Sequence, residues 1–257
     1  MSGFILLALY AAALGLVVGS YLNVVIYRVP RDLSTIRPRS SCPACGTPIR
    51  ALDNIPVVSY ALLGGKCRSC KAPIPLRYPL VEAATGALFL ASFLRFGPTL
   101  EALAAAVLCA LLVALALIDV EHFLLPDVIT LPGIAVGLAF SPWLSWGGLK
   151  ASLLGALVGG GILLALWGGW YLLRKEEGMG LGDVKMLAMV GAFLGVRGVL
   201  VTLLGGSILG SIVGLLLMSK SEAGLKSKLP FGTFLALGAL LALFVGPNLV
   251  RLYLAQF

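Results

Sequence analysis

The sequence predicts an all-α integral membrane protein of about eight transmembrane helices with one small loop domain outside the membrane. Two observations carry this prediction. Hydrophobic residues make up 60% of the 257 positions and charged residues only 12%, with a mean hydropathy of +1.03. A water-soluble domain of this length would need much more charge at its surface, so a soluble globular protein is excluded.

Apolar windows of spanning length, about 20 residues each, follow one another along the chain. They lie at roughly 3–27, 78–96, 100–118, 127–146, 151–173, 183–198, 199–218 and 231–250. The sixth and seventh windows meet near Arg197 and Gly198, and the alternative is that they form one re-entrant unit. Small residues permit close helix contacts in lipid. We therefore expect contact faces at glycines of the fifth and seventh windows, namely Gly155, Gly159, Gly160, Gly161, Gly206, Gly210 and Gly214.

The distribution of Lys and Arg predicts the orientation of the helices. The first window has no basic segment before it and a basic flank after it, which is typical of an anchor with its N-terminus outside rather than a cleaved signal peptide. Eight crossings then leave fifteen of the nineteen Lys and Arg residues in the cytoplasm; those outside are Arg95, Lys150, Arg197 and Arg251. Both termini lie outside. We assign the net charge of +8 to contact with anionic lipid headgroups and not to nucleic acid.

Polar residues on the first helix recur at helical spacing. Gly15 and Gly19 form a small-residue pair, and Ser20, Asn23 and Tyr27 lie on one stripe. In lipid such a stripe has to face other helices. We interpret it as an interhelical hydrogen-bonding seam, with contact to a ligand as the alternative.

The soluble loop covers residues 30–77, between a first transmembrane helix at 1–29 and a polytopic part at 78–257. Fewer than fifty residues cannot bury enough core to fold alone. Two C-x2-C pairs predict a tetrahedral structural Zn²⁺ site. Two disulfides are the alternative, which a reducing cytoplasm disfavours. The four cysteines are Cys42, Cys45, Cys67 and Cys70.

Two aspartates interrupt the apolar pattern. Asp119 ends the third window in LALIDVEHFLLPD, and Asp183 opens the sixth in GMGLGDVK. Ionisable groups at membrane depth are costly and mark working sites. The predicted topology puts both carboxylates at the cytoplasmic face. Two close carboxyl groups that share one proton and hold a water are the machinery of an aspartic protease, so the sequence predicts an intramembrane protease.

We interpret the residues near the two aspartates either as supports of the active site or as parts of the helix structure. Gly180 and Gly182 let the backbone turn tightly beside an extended substrate, and Lys185 belongs to the same active-site loop. A dinucleotide-binding loop is rejected because GMGLGD lacks the required strand and βαβ unit. Asp127 is interpreted as a helix-start residue. His122, the only histidine, cannot build a metal site unaided.

Two other functions compete with proteolysis. A proton-coupled or ion transporter with a zinc-stabilised cytoplasmic cap also uses intramembrane acids. Transporters usually place those acids near the bilayer midplane and consist of repeated halves, and this chain shows neither feature. A membrane thiol oxidoreductase would need its cysteines on the oxidising side, contrary to the charge pattern.

The motifs together resemble the bacterial type IV prepilin peptidases, or leader peptidases, of the Gly-x-Gly-Asp aspartic protease group. GSYLNVVIYRVP is similar to the family's first span, and SCPACGTPI, NIPVVSY, GGKCRSC and RYPLVE to its cytoplasmic loop. IDVEHFLLPD and EEGMGLGDVKMLA resemble its two aspartate motifs. LPFGTFL resembles a further segment in which a proline is common where this chain has Thr233, a difference expected to affect only the local helix entry.

The resemblance implies a bifunctional enzyme of the bacterial inner membrane. Asp119 and Asp183 would be the catalytic pair that removes the basic leader of prepilins or pseudopilins, for type IV pili or type II secretion. Family members with the cysteine loop also methylate the new N-terminal residue, with S-adenosylmethionine as the methyl donor. The candidate cofactor-binding residues are Gly65, Lys66 and Glu82. Glu82 begins the second span, where an ion pair with Arg77 or Arg28 is the alternative to binding a cationic ligand.

Overall fold

The structure is a computed structural model that describes residues 2–145, 147–176, 179–220 and 229–246. Within these ranges the chain is helical, and the only β-structure consists of two isolated bridges. The prediction of an all-α fold is therefore confirmed. The helices are α1 (Ser2–Arg28), α2 (Val58–Leu62), α3 (Arg77–Phe96), α4 (Leu100–His122), α5 (Asp127–Phe140), α6 (Gly148–Arg174), α7 (Leu181–Lys220) and α8 (Phe231–Phe244).

Most of these helices have the length and composition of membrane spans. Among the described residues, five are long and apolar enough to cross a bilayer, namely α1, α3, α4, α6 and α7. Two more, α5 and α8, are apolar but have 14 residues each. The protein is therefore a multi-pass membrane protein.

The 40 residues of α7 form two antiparallel segments. Backbone dihedrals are non-helical at Gly195, with φ 64° and ψ −174°. Leu187 and Val199 both approach Gly159 of α6, although a straight helix would separate them by roughly 18 Å. The chain therefore folds back at Gly195. This break lies close to the predicted boundary at Arg197, so the sixth and seventh windows are two separate segments.

Several predicted helix boundaries differ from the structure, and the fourth window, predicted to end at residue 146, corresponds to α5, which ends at Phe140. Window three ends at residue 118, whereas α4 continues to His122, so Glu121 and His122 lie in its last helical turn and not in a loop. The helix stops where Phe123 adopts a φ of 52°. Window eight ends at residue 250, whereas α8 ends at Phe244 and residues 247–250 lie outside the described part of the chain.

One compact unit comprises Met1–Ala114, and its helices α1 and α3 pack against each other at glycine. A Cβ at Gly19 would lie 2.7 Å from the Cα atom of Glu82, so only glycine allows this approach. Asn23 Nδ2 donates to the carbonyl oxygen of Tyr78 at 3.1 Å. The predicted hydrogen-bonding seam thus links α1 to the start of α3.

The second unit, Leu115–Phe257, is arranged around α7, which packs against α5, α6 and α8. A Cβ at Gly155 would collide with the carbonyl oxygen of Gly191, and one at Gly206 would lie 2.9 Å from that of Phe234. The predicted contact faces are confirmed at these positions. The prediction is wrong for Gly161, where a Cβ would have no neighbour within 4 Å among the described residues. Gly161 lies on a different face of α6 from Gly155, because the helix has 3.6 residues per turn.

Candidate active site

Asp119 lies within the last turn of α4 and is 5% exposed. Its Oδ2 atom accepts a hydrogen bond from the backbone N–H of Thr233 at 2.8 Å, and the Thr233 hydroxyl lies 3.3 Å from the same oxygen. A Cβ at Gly232 would lie 3.0 Å from Oδ2. The carboxylate of Asp119 therefore rests against the beginning of α8.

Asp183 lies in the first turn of α7 and is 7% exposed. Its carboxyl group is close enough to that of Asp119 for direct electrostatic repulsion. Among the described residues, no hydrogen-bond donor contacts the Asp183 carboxylate. The structure thus brings together the two aspartates that the sequence singles out and holds them in different ways.

Leu125 fills the space between the start of α7 and the start of α8. A Cβ at Gly182 would lie 2.8 Å from the Leu125 Cβ, and one at Gly232 would lie 2.8 Å from its Cδ1. Neither Gly180 nor Gly182 has a positive φ. Gly182 is therefore needed for the close approach to Leu125, and its φ is one that other residues can also adopt.

Lys185, two residues beyond Asp183, forms an ion pair with Asp127. The Lys185 Nζ atom lies 2.7 and 2.6 Å from the two carboxylate oxygens of Asp127. Asp127 is the first residue of α5, as predicted, and its side chain ties the start of that helix to α7. The His122 Nε2 atom lies 3.9 Å from Glu121 Oε2, and no metal cluster includes His122 in the described ranges.

The four loop cysteines come together. Their Sγ atoms all lie within 4.8 Å of one another, with 3.8 Å between those of Cys42 and Cys70, and all four thiols are free. A tetrahedral ion bound at about 2.3 Å would hold its sulfur ligands roughly 3.8 Å apart. The four thiols therefore match a metal site, and the alternative of two disulfides is not what the structure forms.

The two cysteine pairs sit on similar backbone turns. In the first, Cys42 N–H donates to the carbonyl of Thr47 at 3.0 Å, and in the second, Cys67 N–H donates to that of Ala72 at 2.8 Å. Cys45 Sγ lies 3.3 Å from the Thr47 hydroxyl, and hydrogen bonds with the side chain and the backbone of Thr47, together with those of the neighbouring thiols, lower the pKa of Cys45 to about 6. A thiol with this pKa is largely ionised at neutral pH, which is the form that binds metals.

A salt bridge ties the second cysteine turn to the segment before α2. The Arg68 Nε atom donates to both carboxylate oxygens of Asp53 at 2.9 Å, and Nη2 donates to one of them at 2.7 Å. This bidentate hydrogen bonding lowers the pKa of Asp53 below its usual value.

A cavity of about 400 Å³ lies between the cysteine turns and the adjoining ends of α1 and α3. Its lining includes Asn23, Tyr60, Tyr78, Glu82 and part of both cysteine turns. Ligand pockets usually measure about 300–1,000 Å³ and have apolar walls with a few polar groups, so this cavity has the size and lining of a small-molecule site.

Only one of the three predicted cofactor residues lines this cavity. The buried Glu82 carboxylate accepts a hydrogen bond from the Val57 N–H at 2.7 Å and faces the cavity. Gly65, with a φ of 67°, packs under the Tyr60 ring, and Lys66 is exposed outside the lining.

Arg28 does not form the ion pair with Glu82 that was the alternative. Its guanidinium donates to the carbonyl oxygens of Ser34 and Pro38, each at 2.8 Å.

Sequence reasoning missed Leu125 and the role of Thr233. Nothing in the local pattern links Thr233 to Asp119, because the two residues are 114 positions apart. The only available signal was the position of Thr233 in the first turn of an apolar helix, where backbone N–H groups lack intrahelical acceptors.

Comparison with known proteins shows to which family the chain belongs. The fold defines a polytopic helical membrane protein with paired acidic residues at helix ends. A model of the bacterial peptidase A24 N-terminal domain matches residues 13–96, and one of the type IV leader peptidase family matches residues 106–215. The chain belongs to the type IV leader peptidase family.

Several relatives are similar over most of their length, and each bears the name prepilin leader peptidase/N-methyltransferase. The protein of Burkholderia pseudomallei (strain 1026b) is 40% identical over 262 residues, which cover 92% of this chain and 85% of the relative. That of Pseudomonas aeruginosa is 40% identical over 267 residues, covering 94% and 91%. That of Myxococcus xanthus is 45% identical over 221 residues, covering 85% and 66%. No solved structure matches the chain.

The contact between Gly182 and Leu125 gives a first prediction. Gly182→Ala places a Cβ 2.8 Å from that of Leu125, and the resulting overpacking should destabilise the protein by about 1–3 kcal/mol. Thermal unfolding of the purified protein in detergent measures this change. Gly180→Ala is the matched control, because its Cβ would have no neighbour closer than 3.8 Å. Equal melting temperatures for the two variants would contradict the prediction.

Proposed function

We propose that this chain is a bifunctional membrane enzyme, a prepilin leader peptidase and N-methyltransferase. It removes the basic leader of prepilins or pseudopilins and methylates the new N-terminal residue. The observation that carries the peptidase half is the pair of buried carboxylates of Asp119 and Asp183, which interact electrostatically at the ends of two helices. Relatives that carry both activities in their names, at about 40% identity over most of the chain, support both halves.

Asp119 and Asp183 cleave the peptide bond together in this proposal. Two carboxyl groups this close share one proton, because two like charges in one buried site repel each other. The ionised carboxylate takes a proton from a water, and its protonated partner donates a hydrogen bond to the scissile carbonyl. Asp119 Oδ2 already accepts from Thr233, which leaves Oδ1 for the water or the carbonyl. Gly180, directly before α7, and Gly182 and Lys185, in its first turns, would support the site.

The site lies at the membrane edge. Asp119 is near the end of α4 and Asp183 near the start of α7, so a substrate would be cut where a polar leader meets an apolar helix. The asymmetry of Lys and Arg supports a cytoplasmic position for this edge, in the inner membrane, with both termini outside. Residues 78–257 would form the peptidase domain, and residues 30–77 the cytoplasmic domain associated with methyl transfer.

The four thiols would hold a structural Zn²⁺ ion, which fits their mutual distances. Zinc prefers four tetrahedral thiolates, and it would supply the stability that a loop of under fifty residues cannot obtain from a core. The ion would keep both cysteine turns beside the cavity that they line.

The cavity would hold S-adenosylmethionine, and its volume and mixed lining fit a ligand of that size. The bound cofactor would supply an electrophilic methyl group on a positively charged sulfur. The Glu82 carboxylate faces the cavity and would attract this cation. Gly65 would support the wall through Tyr60, and Lys66 lies outside the wall, which makes it the least direct of the three candidates.

Cleavage tests the peptidase half. Asp119→Asn and Asp183→Asn should each abolish the shortening of a co-expressed prepilin on a gel, because neither variant can share a proton between two carboxyl groups. Asp32→Asn, which changes an exposed aspartate of the other unit, should cleave normally. Complete leader removal by either of the first two variants would exclude the mechanism, and an ion-flux activity lost with the same residues would favour the transporter.

Metal content tests the zinc site. The purified wild-type protein should contain one zinc ion per chain by elemental analysis, and Cys67→Ser should lose it because three thiolates bind zinc much more weakly than four. Cys109→Ser, which changes a buried cysteine of α4, should keep the ion. Equal zinc content in the two variants would contradict the assignment.

Glu82→Gln separates the two activities. Glutamine can still accept the hydrogen bond from Val57 but lacks the negative charge, so the loop should stay in place while the cation is held more weakly. We expect methyl transfer to fall at least tenfold, about 1.4 kcal/mol, and leader removal to be unchanged. Mass spectrometry of the processed pilin measures both. Normal methylation by this variant would remove Glu82 from the cofactor site.

A further inference from the structure

The first transmembrane helix contacts the α3 backbone at two points close to the cavity. Gly19 and Asn23 are four residues apart on α1, so they lie on the same face of the helix, and both are buried. A Cβ at Gly19 would lie 2.7 Å from the Cα atom of Glu82 and 3.1 Å from the Thr85 side chain. Asn23 Nδ2 donates to the Tyr78 carbonyl oxygen, one helical turn before Glu82, at 3.1 Å. The position of α3 at Glu82 is therefore set by α1.

The contact at Gly19 joins two backbones and cannot relax through a side chain. A backbone atom does not move away by changing a rotamer, so a larger residue at position 19 has to push α1 and α3 apart. Asn23 adds a polar contact, because its amide nitrogen also lies 3.3 Å from the Gly19 carbonyl oxygen. Asn23 and Glu82 line the cavity, whereas Gly19 lies behind its wall.

The Glu82 carboxylate holds a strained turn of the loop. Its Oε2 atom accepts from the Val57 N–H at 2.7 Å. Val57 has φ 61° and ψ −46°, and the Val58 N–H donates to the Pro56 carbonyl oxygen at 2.6 Å, which is a γ-turn with positive φ. Such turns are rare and strained, above all at a β-branched residue, and they persist only where the surroundings determine them. The Glu82 carboxylate therefore has one defined position.

The position of this carboxylate decides how strongly it attracts a cation in the cavity. The Coulomb energy of two charges varies inversely with their separation and is larger where water is excluded. In the described part of the chain, Val57 is the one hydrogen-bond donor to Glu82, so the carboxylate has an oxygen left for a ligand. A shift of α3 away from α1 would move this oxygen relative to the loop that forms the rest of the wall.

We propose that Gly19 and Asn23 are positioning residues for methyl transfer, which hold the Glu82 carboxylate at the distance where it attracts the positively charged methyl donor. This inference rests on the proposed function, because it takes S-adenosylmethionine as the ligand of the cavity. It extends the methyl-transfer half of the enzyme from the loop of residues 30–77 into α1 and the start of α3.

Gly19→Ala tests the backbone contact, in the full-length enzyme in detergent with a purified prepilin and S-adenosylmethionine. The KM for S-adenosylmethionine should rise about tenfold and kcat for methyl transfer should stay within about threefold, because the cation is held more weakly in the ground state. Leader removal should stay at the wild-type rate, because the paired aspartates belong to the other unit. Gly3→Ala is the control on the same helix and should behave as wild type, since its Cβ would have no described neighbour within 4 Å.

A double variant shows whether Gly19 acts through Glu82. In Glu82→Gln the negative charge is already absent, so adding Gly19→Ala should raise KM by less than about twofold more. Independent effects would instead multiply, and the double variant would then show a further increase of about tenfold. That result would overturn the proposal, because the alanine would act without the charge of Glu82.

Asn23→Leu tests the polar contact. Leucine has a similar size but cannot donate to the Tyr78 carbonyl oxygen, so the KM for S-adenosylmethionine should rise about 3- to 10-fold, as for loss of one ordinary hydrogen bond. This variant removes a contact without adding volume between the helices. It therefore decides the proposal even if Gly19→Ala fails to fold.

The outcomes separate this proposal from the proposed function. A raised KM in Gly19→Ala and Asn23→Leu, with leader removal and zinc content unchanged, supports the proposal. A wild-type KM in either folded variant overturns it, as does a parallel loss of leader removal or zinc, which would indicate general damage to the fold. Normal methylation by Glu82→Gln would instead defeat the proposed cofactor site itself.

Discussion

Backbone contact at glycine is the constraint on which the rest of this structure depends. Helices in lipid gain little from hiding apolar side chains, so they associate through close packing. The Gly155 and Gly191 backbones touch, and Gly159 lies against Leu187, which fixes the first segment of α7 beside α6. Asp183 lies in the first turn of that segment, so the same contacts determine where its carboxylate lies.

The two aspartates have different surroundings although their carboxyl groups interact with each other. Asp119 belongs to a continuous helix and is held by the first turn of α8, whereas Asp183 begins a helix and has no donor among the described residues. The Asp119 carboxylate is thus held in place, whereas the Asp183 carboxylate can still accept a hydrogen bond. In the proposed reaction, this difference would suit a pair in which one group orients the water and the other binds the substrate. Leu125, between Gly182 and Gly232, keeps the adjoining backbone apart at a defined distance.

The first unit uses a different kind of stabilisation. Its loop has only short helical segments and two isolated β-bridges, so four converging thiols and the Arg68–Asp53 ion pair take the place of an apolar core. The cavity that forms beside them combines apolar walls with the buried carboxylate of Glu82. A cluster of four thiols and an ion pair can therefore support a cavity in a segment that is too short to build one from apolar packing alone.

The sequence by itself determined the membrane class, the succession of apolar segments, the four-cysteine cluster and the two aspartates that interrupt the apolar pattern, Asp119 and Asp183, because composition, window length and motif spacing are local properties. It placed the break in α7 within a few residues of Gly195 and, by treating the two windows as consecutive crossings, also predicted the reversal of direction there. The tertiary structure decided that Gly182 serves close approach, that Gly161 faces open space within the described part of the chain, and that Thr233 donates a hydrogen bond to Asp119. Such contacts join residues far apart in the chain, and their distances depend on how the helices pack.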